Sequence, residues 1–143
     1  MLVRPLLSPY AVRLAEFAPD RAAAIHRCAD VLEDIGAVAP AYRTSMLDRE
    51  RLMSTYLGEC VAIPHGMDSR LVQRDALAVL RLPDGVDWAG SRVTMCVAIA
   101  ARGDGHIEML ANLAAILLDP PRAAALRSAA APEDVIRMLG ETT

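Results

Sequence analysis

The sequence predicts an α/β fold, a small mixed β-sheet sandwiched between helices, with residues 1–143 forming a single domain. Three observations predict it. Residues 93–101 (VTMCVAIAA) are apolar at nearly every position, the pattern of a strand covered on both faces. Residues 21–35 and 40–56 carry apolar side chains at helical spacing. Such helices interleave along the chain with a few short apolar strands, the order expected of layered α/β architecture. A hydrophobic fraction of 54% over 143 residues is ample for one core, and 3% aromatic content makes that core aliphatic.

Taken in order, residues 1–18 are mixed, with a short edge strand near 11–14, because Pro9 confines anything around it to a sheet edge. Asp20 is a good N-cap for a helix over about 21–35, whose stripe is Ala24, Ile25, Cys28, Val31, Leu32 and Ile35, with Gly36 as the stop. His26 falls off that stripe, beside Asp30 and Glu33, and reads as a solvated surface residue. Pro40 opens a second helix to about residue 56. Tyr42, Met46, Met53 and Tyr56 follow helical spacing there, and the missing member of the stripe is Arg49, with Asp48, Glu50 and Arg51 expected to point elsewhere. An Arg inside an apolar stripe either covers the core edge with its stem and pairs with an acid, or meets an anion.

Gly58 is read as the turn after this helix, and 60–63 as a short strand that Pro64 terminates, followed by His65 and Gly66. A second strand spans 76–82, with a turn at Pro83, Asp84 and Gly85. Trp88, the single Trp, takes a half-buried packing role. Strand 93–101 leads through a Gly-containing loop to a helix starting at His106 or just before, with Ile107, Leu110, Leu113, Ala114 and Leu117 facing the core. Two short helices, about 121–129 and 132–139, finish the chain.

Composition excludes several functions. A net charge of -3 gives no basic excess for a phosphate backbone, and the scarcity of rings weakens single-stranded nucleic-acid binding. There is no Lys, so the Arg count reflects composition rather than phosphate affinity. Cys28, Cys60 and Cys96 show neither zinc spacing nor a disulfide framework and read as small hydrophobes. Apolar runs near 93–101 and 109–118 fall short of the ~20 residues of a membrane span, and the N-terminus lacks a signal-peptide pattern, so a soluble cytoplasmic domain is expected.

Chemistry points to three residues. His65 and His106 stand just beyond the carboxyl ends of two expected strands, where ligands bind in layered α/β folds. If those strands are parallel neighbours, the imidazoles converge. His106 opens a helix, where free N–H groups and the macrodipole favour an anion and a neutral imidazole; a solvated surface His is the alternative. With Arg49 they suit a phosphoryl group: a neutral attacking nitrogen on His65, an acceptor on its other nitrogen, and donors for the equatorial oxygens. No phosphate-binding glycine loop or metal-ligand cluster accompanies them, so neither a nucleotide donor, a metal nor another cofactor is expected. On spacing alone, a phosphohistidine role and an α/β domain of unstated function both stay open.

At these residues the sequence resembles the EIIA components of the phosphoenolpyruvate-dependent sugar phosphotransferase system, of the mannitol/fructose type. The resemblance is carried by MLDRERLMSTYLGECVAIPHG (46–66), ALAVLRLPDGVDW (76–88) and CVAIAARGDGHIEMLANLAAIL (96–117), and it spans essentially the whole chain. The TYLGE and IAAR segments, with the short 102–105 loop, look closest to the mannitol branch. The resemblance implies a phosphotransferase: His65 accepts a phosphoryl group on Nε2 from phospho-HPr and passes it to a cysteine of EIIB, which serves the membrane component EIIC. It implies that Arg49 and His106 stabilise that group, that mannitol or a related sugar alcohol is taken up, and that no cofactor takes part. Met67 departs from the small polar residue usual after the PHG motif, and the 88–93 connection is short; both lie in loops that bear on partner preference.

Two further readings stand beside this one. The same fold can act as a regulatory module whose phosphorylation state controls a binding partner, and the free-standing domain expected here, without EIIB or membrane portion, would suit either role. A hydrolase using Cys60 is disfavoured, since nothing links that thiol to His65 as a nucleophile–base pair.

Overall fold

The computed structural model describes residues 6–103 and 105–140; the side chains of 105–107, 109 and 140 lie outside the description. Strands β1 (Val12–Arg13), β2 (Tyr56–Gly58), β3 (Val61–Ala62), β4 (Ala76–Trp88) and β5 (Ser91–Ala100) form one sheet of order β1-β4-β5-β3-β2. Helices are α1 (Arg21–Asp34), α2 (Tyr42–Leu52), α3 (Gly105–Leu117), α4 (Pro120–Arg127) and α5 (Pro132–Gly140). The sheet is mixed: β1 runs parallel to β4 and β3 parallel to β5, while β4–β5 and β2–β3 are antiparallel. The expected mixed sheet flanked by helices is therefore the observed one.

The central pair follows from sequence pattern. Residues 76–80 of β4 and 95–100 of β5 are buried throughout, since helices cover both faces of the sheet there. The β4–β5 turn falls at Ala89 and Gly90, both with positive φ (53 and 97). The expected turn at Pro83 to Gly85 is corrected. Those residues stay within β4, and a register shift between Arg81 and Val86 absorbs them as a bulge. The parallel partner β1 reaches only Val79 and Leu80, so Pro83's missing N–H breaks no ladder with β1.

Helix α1 starts where the capping signal places it, with the Asp20 carboxylate accepting the Ala23 N–H at 2.8 Å. Its buried face is Ala24, Ile25, Cys28, Ala29, Val31 and Leu32. His26 is half-buried rather than solvated, and its Nδ1 lies 3.1 Å from Arg43 Nη1, whose guanidinium also pairs with Asp30 and Glu33. The opposite carboxylates hold the Arg43 guanidinium above its ordinary range. Asp119 caps α4, as its position before two prolines dictates.

Helix α2 is shorter than its apolar spacing suggests. It ends at Leu52, and Tyr56 belongs to β2 instead. Its buried face is Tyr42, Met46 and Glu50, so the expected stripe through Arg49 to Met53 and Tyr56 is corrected; Met53 is 69% exposed. Cys60 lies in the β2–β3 turn with a positive φ of 63 rather than inside the strand, and it is half-exposed, unlike buried Cys28 and Cys96. The neighbouring Cys28 thiol and burial push the Cys96 thiol well up. Among the described residues no helix is long and apolar enough to cross a membrane.

Candidate functional site

The segment 63–68 is held from two sides. On one, β3 runs parallel to β5 with Val61 opposite Met95 and Ala62 opposite Cys96. The pairing continues past the strand: Ile99 N–H donates to Pro64 O at 2.9 Å, and His65 bridges Ile99. The condition on which the two histidine-bearing loops would converge, adjacent parallel strands, is met. His65 therefore stands at the carboxyl edge of the sheet. Its Nδ1 lies 2.8 Å from Ile63 O, and since a carbonyl only accepts, Nδ1 carries the proton and Nε2 the lone pair of the neutral ring.

On the other side stands α2. The Tyr42 hydroxyl accepts the Gly66 N–H at 2.8 Å and donates to Ile99 O at 2.9 Å, joining the loop to β5. One turn on, Ser45 Oγ accepts both Met67 N–H at 2.7 Å and Asp68 N–H at 3.0 Å. This close approach requires glycine at 66: a Cβ there would lie 2.6 Å from Tyr42 Cε1 and 2.9 Å from Ser45 Oγ. Burial raises the Tyr42 phenol above its ordinary 10.0, with the Gly66 N–H pulling the other way, so it stays protonated at neutral pH and can donate. The sequence alone does not single out Tyr42 and Ser45 for the site. The available signal was a tyrosine on a buried stripe, whose hydroxyl needs a partner.

Between these walls is a cleft of ≈ 110 Å³, lined among others by Tyr42, His65, Met67, Ser69, Ile99 and Gly103. Gly103, with φ 60, turns the chain out of β5, and α3 starts at Gly105, so a helix N-terminus opens just beyond the cleft wall. That is a favourable place for an anion. His106 is in the first turn of α3, as expected, and its side chain lies outside the described residues. Arg49 is two turns along α2 from Tyr42, about 10 Å of helix rise, on nearly the same side. Its Nη1 donates to Met53 O at 2.6 Å, so it is seated at the helix end. Among the described residues its partner is a carbonyl at the α2 terminus, and no acid pairs with it.

Glu50 also departs from its sequence expectation. It points inward, 5% exposed, and its carboxylate accepts from Thr55 N–H at 2.7 Å, Thr55 Oγ1 at 2.6 Å and Trp88 Nε1 at 2.9 Å. Trp88 is correspondingly fully buried rather than half-buried, at 1% exposure.

Comparison with known proteins places this arrangement in a family. The family described as "Phosphoenolpyruvate-dependent sugar phosphotransferase system, EIIA 2" matches residues 5–142. The chain belongs to the EIIA 2 family. A multiphosphoryl transfer protein of Xanthomonas campestris pv. campestris is 42% identical over 136 residues, 93% of this chain but 16% of that protein. The mannitol-specific phosphotransferase enzyme IIA component of Staphylococcus aureus (strain Mu50) is 41% identical over 93 residues, 64% of this chain and 65% of that component. This EIIA chain thus spans less than two thirds of either relative. Among solved structures, the Escherichia coli complex of enzyme IIA mannitol with phosphorylated enzyme IIB mannitol matches with a TM-score of 0.87 at 28% identity, covering 95% of this chain and 99% of that one. The crystal structure of IIA mannitol from Escherichia coli gives 0.84 at 30% identity, covering 92% and 97%.

Proposed function

We propose that the protein is a phosphoryl carrier that accepts a phosphoryl group from phospho-HPr on His65 Nε2 and passes it to a cysteine of an EIIB partner, for uptake of mannitol or a related sugar alcohol. The observation that carries this reading is the Nδ1 contact to Ile63 O, 2.8 Å, at the edge of the cleft. The Nε2 lone pair attacks phosphorus, and the donor's P–N bond breaks with its electron pair returning to the donor imidazole. Positive charge grows on the His65 ring as the new bond forms, and the Nδ1–H becomes more acidic. The Ile63 carbonyl dipole strengthens its bond to that proton at the same moment, which is differential stabilisation of the transferring state. In the second step a thiolate attacks phosphorus, and the electron pair of the breaking P–N bond returns to Nε2.

Arg49 and His106 serve as donors to the phosphoryl oxygens in this reading, both by their matched positions in the family motif, with Arg49 reaching in from the last turn of α2. A bound phosphoryl group would draw the Arg49 guanidinium from the Met53 carbonyl, a charged acceptor making the stronger bond. Met67, 53% exposed beside the cleft, and Leu52 and Met53 at the α2 end give the partner-facing surface apolar contacts. Adaptable Met side chains suit a surface that must bind two partners in turn. The partner named with the Escherichia coli relative, a phosphorylated IIB, supports the acceptor assignment.

The test is single-turnover transfer. Protein phosphorylated with phosphoenolpyruvate, enzyme I and HPr is mixed with a mannitol-type EIIB, and label on the EIIB cysteine is followed. Appearance of that label with loss from this chain is the expected result. A chain that stays phosphorylated would favour the regulatory role instead.

A further inference from the structure

A buried carboxylate in α2 connects to the candidate nucleophile through hydrogen bonds joined by the backbone of Thr55 and Ile63. Glu50 grips Thr55 twice, by its N–H and its hydroxyl. Thr55 O accepts the Ile63 N–H at 3.0 Å, and Ile63 O accepts the His65 Nδ1–H at 2.8 Å. Thr55 and Ile63 thus form the base of the β2–β3 hairpin. That hairpin is short, and its turn has three successive positive φ values: Gly58 at 129, Glu59 at 52 and Cys60 at 63. Two strained non-glycine residues at the tip are tolerated only when the surroundings hold the turn in place. Arg127 Nη1 holds the tip through Glu59 O at 2.6 Å, and Glu50 holds the base.

Core packing does not require a charge at position 50. The other members of the buried face are Tyr42 and Met46, and a leucine would fill the position without the desolvation cost of a carboxylate. Among the described residues its one cationic partner, Arg21, is 3.9 Å away and 35% exposed, so ion pairing contributes little. What the carboxylate supplies is three acceptor contacts converging from Thr55 and Trp88. The same 53–55 segment offers Met53 O to Arg49, so one anchor governs both the Arg49 seat and the acceptor of His65.

We propose that Glu50 is a positioning residue for phosphoryl transfer: through Thr55 and Ile63 it fixes the tautomer and orientation of the His65 imidazole. This deepens the phosphoryl-carrier reading and rests on it for its kinetic consequence, while its structural consequence is measurable without any transfer.

The experiment compares Glu50→Leu, Glu50→Gln and Thr55→Val by imidazole ¹⁵N NMR of the unphosphorylated proteins and by kinetics of transfer from phospho-HPr, below each variant's melting transition. Glu50→Leu should shift His65 away from a single Nδ1–H tautomer and lower kcat by about ten- to a hundredfold, the scale of a misplaced reacting group, with KM for phospho-HPr nearly unchanged. Glu50→Gln should rescue both readouts. Its amide oxygen can keep the Thr55 N–H and Trp88 N–H, while its amide donates to a Thr55 hydroxyl turned to accept. Thr55→Val, which loses the hydroxyl link alone, should fall between. If Glu50→Leu does not fold, Thr55→Val decides. A folded Glu50→Leu or Thr55→Val with wild-type His65 signals and wild-type kcat overturns the proposal, as does a Glu50→Gln as impaired as Glu50→Leu. Absence of His65 labelling in the wild type would instead refute the carrier reading, leaving the ¹⁵N comparison to judge the positioning role.

Discussion

Tyr42→Phe removes one oxygen and leaves the ring in place, which makes its consequences calculable. The hydroxyl serves two backbone groups, accepting Gly66 N–H at 2.8 Å and donating to Ile99 O at 2.9 Å. Losing it orphans both. A buried group left unpaired costs about 1–3 kcal/mol, and the adjoining cleft lets water relieve part of that, so about 2 kcal/mol in all is expected. For a chain of 143 residues that corresponds to a fall in Tm of roughly 5–10 °C. Burial raises the Tyr42 phenol above 10.0 in the folded state, so its stabilising contribution is fully present below pH 10 and is lost as pH rises through the folded value. The variant should therefore be less stable than wild type at pH 7 and lose less stability than wild type above pH 10. Urea unfolding followed by Trp88 fluorescence at both pH values is the assay. The released loop should also slow transfer by about tenfold, because Gly66 is no longer pinned beside His65. A variant with unchanged Tm, unchanged alkaline profile and unchanged rate would refute the claim that this hydroxyl joins the loop to β5.

Other outcomes follow from the same contacts. Gly66→Ala puts a methyl 2.6 Å from the Tyr42 ring, and the overlap should cost about 1–3 kcal/mol and slow transfer, read by thermal melts and phosphorylation kinetics. Arg49→Ala should lower the transfer rate by about a hundredfold, the scale of a lost charge-stabilising donor. Its stability should fall by less than about 1 kcal/mol, since the Met53 carbonyl at the helix end can turn to water. A large drop in Tm with normal transfer would assign Arg49 a capping role alone. Arg81 donates to Leu14 O, Arg127 O and Ala129 O, tying β4 to the chain after β1 and to the end of α4. Arg81→Met should destabilise by about 2 kcal/mol in urea melts yet leave phosphorylation below the transition unaltered.

Much of this was legible in the sequence, for reasons that differ by element. Helix α1 was readable because its cap, stripe and glycine stop agree. The parallel placement of β3 beside β5 is not readable from the sequence, because local pattern carries no information about strand order; the pairing of the folded chain supplies it. The end of α2 was misread since Met53 and Tyr56 continue helical spacing, while the helix actually stops where Glu50 captures Thr55. The turn expected at Pro83 to Gly85 has the right residues for a turn but falls in a bulge of a long hairpin strand. Glu50 itself reads from the sequence as lying off the apolar stripe, because helical spacing runs that stripe through Arg49. A charged side chain on a helix is ordinarily solvated, and only the three donors gathered by tertiary structure make burial tolerable. The site residues Tyr42 and Ser45 act on backbone N–H groups more than 20 positions away, a relation that spacing does not encode.

The central claim is that His65 Nε2 carries the phosphoryl group. Its most direct measurement is incubation with phosphoenolpyruvate, enzyme I and HPr, followed by mapping of the labelled residue in the wild type and in His65→Ala. The account predicts one acid-labile phosphate per chain on His65 Nε2, and none in a His65→Ala protein that melts as cooperatively as the wild type. Acid-labile phosphate retained by that variant, or mapped to His26 or His106, would contradict it.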